Sequence, residues 1–472
     1  MPVTAQDFAF AWKRAASSDL GADYGYMFEV ISGYPDNLAV SANDGILEVT
    51  LISNIPYWNE LLAFHVYAPV REDVVSNAAW AAQPDTYVSN GLYRLEAWDH
   101  HEVITIVKND NHPDAKEVTM GTINFQLTTD GAVMTEQYLA GNWLLVDDPY
   151  ALDLSHISAD ELHSIGQMGT YYINWNVNKN LLPESSALTG VEAERANAEI
   201  RNALSLVIDR AYLCTNGPAA GTLPASTFVA LGMLDADGSQ FCENAGHSDA
   251  YNGYYNVAAE AFDRNFAAAQ EVLMKYYTFD VASGKFTDVP TLEYLYNTSD
   301  GHKAIGEYLQ AAFANVGINL QLVNQEWNTF LNTRKNGNYT LARNGWLADY
   351  SDPICFLDMW TSQSGNNDVQ FGMDAHADLA MYDLDLTGYG MSIQVTDGTW
   401  AETYDVLIDA IKSCTDSETR FQLMHLAEDM LMETGAICPL YYYTDNYVQS
   451  SALRNVIVTP MSNKIFAYAT IE

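Results

Sequence analysis

The chain has 472 residues, enough for two or three domains, and at 48% hydrophobic and 12% aromatic it must bury a sizeable core, which excludes a disordered chain. Its 61 acidic residues against 21 basic ones leave a net charge of −40, which excludes nucleic acid and anionic membrane surfaces as partners because phosphates are repelled. No run of about 18 apolar residues is present to span a bilayer.

Taken in order, Thr4-Ala5-Gln6-Asp7 reads as a helix cap with an acidic partner three positions on. Phe8, Trp12 and Ala15 then share one helical face. Leu47, Val49 and Leu51 alternate as a strand after the Asp44-Gly45 turn, and Tyr57, Leu61, Leu62 and Phe64 form a short helix after Pro56. Residues 92–95 and 103–107 are two strands, expected to form a hairpin. Residues 123–127 are a strand, 133–139 a helix and 171–177 a strand. The clearest helix covers 193–210, where Ile200, Ala203, Leu204, Val207 and Ile208 form one stripe.

Residues 211–260 read as long loops, 259–276 as a helix and 290–296 as a strand. Ile305, Tyr308, Leu309, Ala312, Phe313 and Val316 make a helical stripe stopped by Gly317, and Ile318, Leu320 and Leu322 alternate directly afterwards. A strand, helix and strand of these lengths predict a parallel crossover and an α/β lobe. Residues 371–400 are acidic and glycine-rich and read as a surface insertion. Thr415 and Glu418 open a helix that Gly435 closes, and 437–443 is a buried strand.

Catalytic and metal motifs are not found: there is no GxSxG, HExxH or GxxxxGK[ST] pattern. His100 and His101, as neighbours in a strand, point to opposite faces and do not suit one metal ion. Asp383, Asp385, Thr387 and Gly388 open like a calcium loop, but the twelfth position is Gln394 in place of the bidentate glutamate, so a turn is the better reading, as it is for Asp235-Ala236-Asp237-Gly238. The five cysteines (Cys214, Cys242, Cys355, Cys414, Cys438) lack zinc spacing; Cys214 and Cys242 can bridge in an oxidising compartment, a point the sequence leaves open. The 30 tyrosines and 10 tryptophans suit ordinary packing or a cleft lined by amphipathic rings.

Residues 324–353 concentrate distinctive chemistry. Within this acidic chain, Arg334 and Arg343 offer planar forks that match a carboxylate, and Asp349 can hold an ammonium group. Such a pair of functions suits an amino-acid or peptide zwitterion; the competing reading of both arginines is internal salt bridging.

The same stretch, QEWNTFLNTR and LARNGWLADYSDP with YNTSDGHK upstream, resembles the extracellular oligopeptide-binding proteins of bacterial ABC importers, the family 5 solute-binding proteins. VTAQDFAFAWKRA, SNGLYRLEAW, EIRNALSLVIDR and CPLYYYTDNYV fall in the family's order, so the resemblance covers nearly the whole chain. It implies a periplasmic-binding-protein-like type II two-lobe α/β fold (cluster C, three-domain). In that scheme 1–108 is a remnant of the smaller second domain, 109–207 with 456–472 belongs to the first, and 208–455 is the third domain with most ligand contacts. It implies a monomeric, non-enzymatic protein outside the cytoplasm, without a cofactor, that delivers oligopeptides to a permease; another solute on the same scaffold, or a hydrolase, are the rival readings. Arg343 and Arg334 would serve the peptide C-terminus and Asp349 its α-amino group. Trp327 and Trp346 would lie near side-chain pockets, with Tyr296, Asn297 and Ser299 lining the cleft. Tyr24 or Tyr26 would supply an aromatic of the second domain. The family normally has a signal, often a lipid-anchored cysteine, and further residues ahead of this point, so the chain is expected to be truncated at its N-terminus.

Overall fold

The first helix begins where the sequence caps it. In the computed structural model, which describes residues 2–147, 152–246, 248, 250–373 and 382–472, α1 spans Ala5–Ala16 and the Asp7 carboxylate accepts the Thr4 amide at 2.8 Å. Trp12 is buried at its centre and its indole N–H donates to the Tyr67 carbonyl at 2.8 Å. β1 (Val40–Asn43) and β2 (Ile46–Val49) pair antiparallel across Asp44 and Gly45, both at positive φ. Alternation identifies only the second of these strands. The short helices α2 (Trp58–Leu62) and α3 (Glu72–Val75) follow. The predicted hairpin is β3 (Tyr93–Asp99) and β4 (Val103–Lys108), extended by β5 (Thr122–Gln126) into a three-stranded antiparallel sheet. α4 (Gly131–Leu139) and β6 (Leu145–Val146) enclose a small core with Met134, Tyr138, Val146, Leu152 and Val448.

Contacts group the chain into two units, Met1–Ile165 with Asp445–Glu472, and Gly166–Thr444. In the first, the C-terminal residues return to the N-terminal ones: Thr119 donates its amide to Ala467 O at 2.8 Å and its hydroxyl to Ala469 O at 2.7 Å.

The second unit is built on β7 (Leu162–Trp175), whose first residues belong to the first unit. α5 (Gly190–Leu206) is shorter than its apolar stripe. Val207 and Ile208 are buried as expected, but Asp209 then caps a separate helix, α6 (Arg210–Thr215), by accepting the Tyr212 amide at 2.9 Å. β8 (Leu223–Pro224), α7 (Phe262–Leu273) and the small hairpin of β9 (Phe279–Asp280) and β10 (Lys285–Phe286) follow. The predicted crossover is β11 (Leu292–Asn297), α8 (Asp300–Asn315) and β12 (Leu320–Gln325), and the two strands are parallel. α9 (Trp327–Lys335) leads into β13 (Leu341–Leu347), parallel to β11 and antiparallel to β7. After α10 (Ile354–Leu357), the 371–400 stretch is only partly described, since 374–381 lies outside the described residues. The rest of it forms the antiparallel hairpin β14 (Tyr382–Asp385) and β15 (Gln394–Gly398).

α11 (Trp400–Ser413) precedes α12 (Ser417–Glu433), whose cap is Asp416 rather than Thr415. Gly435 ends that stretch at φ +62°, and only glycine fits there because a Cβ would lie 2.9 Å from the Arg201 Cβ on α5. β16 (Ile437–Gln449) completes the sheet order β12-β11-β13-β7-β16, with β8 also on β16. In the first unit the chain closes with β17 (Leu453–Arg454) on β20 (Thr470–Ile471) and β18 (Ile457–Val458) on β19 (Lys464–Ile465).

The main core packs α5, α6, α7 and α8 on one face of this sheet, while Leu295, Phe330, Tyr339 and Ala342 make a second core under α9. All five cysteines are buried and unbridged, so Cys214 and Cys242 do not pair. Among the described residues, no helix is long and apolar enough to cross a membrane.

Candidate ligand-binding site

Open α/β sheets present their loops and side chains at the carboxyl ends of parallel strands, and there β11, β13, α8 and α9 bring three sequence motifs together. Asn297 is the last residue of β11. The backbone then turns at once into α8, capped by Ser299, whose hydroxyl accepts the His302 amide. Glu326 caps α9 by accepting the Asn328 amide at 3.0 Å, which fixes Trp327 as its first residue. Trp327 and Phe330, three apart on one helical face, stack with centroids 5.9 Å apart.

Arg343 stands in front of these rings. It follows Ala342, the last β13 residue paired with β11, and lies opposite Ile173 of β7. Its Nε donates to the Asn297 Oδ1 at 2.7 Å. Its guanidinium carbon is 5.6 Å from the Trp327 ring, 5.4 Å from Phe330 and 6.0 Å from Tyr171, within cation–π range of each. Among the described residues no carboxylate is within ion-pair distance of Arg343.

Arg334 has the opposite surroundings. It is 8% exposed, so little of the fork is open to solvent. Its Nε is 2.7 Å from the Oδ2 of Asp368, itself 4% exposed. The approach is off the N–H line, leaving Nε without an aligned acceptor, so the pair is held by charge more than by a linear bond. Nη1 donates to the Arg343 carbonyl at 3.4 Å. Burial pushes the Asp368 carboxyl upward, against the pull of Arg334. Asn344 donates to the same carboxylate at 3.2 Å.

Tyr171 and His302 flank the site from the core side. The Tyr171 hydroxyl is 3.3 Å from His302 Nδ1, and its ring stacks on Tyr441 at 4.7 Å. Burial first, and the nearby Arg343 charge second, lower the His302 imidazole to about 4, so it is neutral at neutral pH. Tyr443 lies over Gly345, where a Cβ would come within 2.2 Å of the phenol oxygen. Only glycine lets that ring cover the strand.

The remaining candidates have surroundings of their own. Trp346 is half-buried on β13, and its buried indole N–H has no hydrogen-bond partner. Asp349, half-buried two residues past β13, donates its amide to Cys355 Sγ at 3.2 Å; burial first, then the Asp349 charge, push that thiol upward. Tyr296 is 6% exposed in the main core, stacked on Tyr294, so it supports the site from beneath. Tyr24 is in the first unit, half-open to solvent, against Phe64 and His65. Sequence reasoning gave no role to Asp368, Tyr171 or Tyr443. Asp368 is far from Arg334 in sequence and outside any helical or strand period, so no local pattern joins the two.

The family model for bacterial extracellular solute-binding proteins, family 5 (middle), matches residues 1–368. The chain belongs to this family. Among curated family 5 relatives it is 28% identical over 473 residues to the dipeptide-binding protein DppE of Bacillus subtilis, covering 98% of this chain and 76% of the relative. It is 27% identical over 479 residues to the oligopeptide-binding protein OppA of the same organism, covering 97% and 76%. Among solved structures, the murein tripeptide binding protein MppA of Escherichia coli superposes with a TM-score of 0.72 at 24% identity, covering all of this chain and 84% of that one. Haemophilus influenzae OppA, solved in complex with RPPGFSPFR, gives 0.71 at 22%, covering 100% and 84%. These likenesses establish the family's two-lobe α/β fold, as the sequence motifs predict.

Proposed function

We propose that this family 5 protein captures oligopeptides outside the cytoplasm, as a monomer and without catalysis, and hands them to the permease of an ABC importer. The observation that carries this reading is Arg343: an oriented guanidinium among aromatic walls, lacking a carboxylate partner among the described residues of a chain with 61 acids. Acids are abundant enough to neutralise any structural arginine, as Asp368 does for Arg334. A guanidinium held open in this way suits an anionic end of a ligand.

In this reading Arg343 takes the peptide carboxylate, and Arg334 supports it from below through Asp368 and the Arg343 carbonyl. Asp349 takes the α-ammonium group. Trp327 and Trp346 wall the side-chain pockets, Tyr296 backs them from the core, and Tyr24 is a further aromatic candidate. The names of the relatives, which bind dipeptides, oligopeptides or a murein tripeptide, support a peptide over a sugar or a metal chelate. The three-segment domain scheme (1–108; 109–207 with 456–472; 208–455) is part of the proposal, supported by the bonds from Thr119 to Ala467 and Ala469.

Isothermal titration with tri- to pentapeptides tests the function. Binding of free peptides with marked weakening on N-acetylation is the expected result; equal binding of both forms removes Asp349 from the site. If no peptide binds and mass spectrometry of the purified protein finds a sugar or metal chelate instead, the cargo assignment fails.

A further inference from the structure

Resting on the reading of Arg343 as carboxylate anchor, we propose that Asn297 is the positioning residue that makes the anchor selective for a carboxylate, by orienting the guanidinium without neutralising it. The Asn297 Oδ1 accepts from Arg343 Nε at 2.7 Å. That contact uses one edge of the fork and leaves both terminal nitrogens for a ligand. Asn297 ends β11, where its register with Gln325 of β12 holds the backbone. The Trp327 and Phe330 rings limit rotation of the guanidinium.

Two alternatives at position 297 show why the amide matters. An apolar residue would free Arg343 to sample other rotamers, so ordering it would fall to the ligand. An aspartate, the same shape with one charge added, would accept the same hydrogen bond and also pair with the arginine. The anchor would then be neutralised before any ligand arrived. The site also holds His302 in its uncharged form, with Tyr171 beside it, so Arg343 supplies the positive charge that an incoming carboxylate meets.

The test compares one tripeptide as free acid and as C-terminal amide on wild type, Asn297→Ala and Asn297→Asp by isothermal titration. Wild type is expected to prefer the acid by about tenfold or more, the scale of a charge-assisted hydrogen bond. Asn297→Ala should weaken the acid by about tenfold and leave the amide unchanged. Asn297→Asp, which retains the shape and keeps the variant folded, should abolish or invert the preference. A merely structural role would weaken both peptides equally; that result, or an unchanged acid-to-amide ratio in both variants, overturns the inference while leaving the anchor in place. A wild type that binds acid and amide equally overturns both the anchor and the inference.

Discussion

Glu428 offers a sharp test of how this fold handles its excess of acids. It lies on α12 and is 0% exposed. Its Oε1 accepts the amides of Phe228 at 2.9 Å and Val229 at 2.7 Å, and its Oε2 has no partner. It thereby pins the 226–233 segment, whose Phe228 packs against Tyr172, Phe356 and Trp360. The groups facing it are Cys242, Tyr254, Tyr404, Tyr442 and Asp429, none of them a cation. Burial outweighs the two backbone bonds and raises the carboxyl from 4.5 to about 8. The folded state therefore holds a proton that the unfolded chain releases. The stability this provides is fully present below pH 4.5 and is lost progressively as pH rises to about 8, a total of roughly 5 kcal/mol at about 1.4 kcal/mol per decade.

Glu428→Gln keeps the acceptor and deletes the titration. Urea unfolding of wild type and variant between pH 5 and 8 should diverge, the variant becoming the more stable towards pH 8. Glu428→Ala, which orphans two buried amides, should be less stable than Glu428→Gln at every pH by about 2 kcal/mol or more. Parallel pH profiles for wild type and Glu428→Gln would refute the reasoning.

Arg334→Ala should cost roughly 3–5 kcal/mol in denaturant unfolding, because it strands the buried Asp368 carboxylate. Gly345→Ala should lower stability by about 1–3 kcal/mol by pushing Tyr443 off the strand, and adding Tyr443→Leu should recover part of that loss in the same assay. The His302 imidazole should stay neutral from pH 8 to 5 by proton NMR, with its contribution to stability present above pH 6.5 and lost as pH falls through about 4. Arg343→Ala should move the His302 midpoint upward, since it removes the second cause of the depression.

Periodic elements were the legible part of the fold. The β11–α8–β12 crossover follows from a 3.6-residue stripe directly succeeded by alternation, a change of period that needs no tertiary information. The break between α5 and α6 was hidden, because Val207 and Ile208 continue the apolar stripe into the very residues where Asp209 recaps the chain. The cap of α12 is ambiguous by one residue for a similar reason: Thr415 and Asp416 are both good caps, and only geometry selects Asp416. In the site, arginine chemistry and motif spacing pointed to Arg334 and Arg343 together. Their different surroundings depend on Asp368, whose approach is set by the packing of the 364–371 loop against Asn344 and Tyr339. Tyr296 is buried in the main core, and strand alternation alone does not reveal which face meets that core.

If Arg343 is the ligand's anionic anchor, titration of Arg343→Ala with a free-acid tripeptide must show it. Affinity should fall at least tenfold, with the melting temperature lowered only modestly by loss of the Asn297 bond and the ring contacts, since no carboxylate among the described residues depends on this arginine. Wild-type affinity in the variant would contradict it.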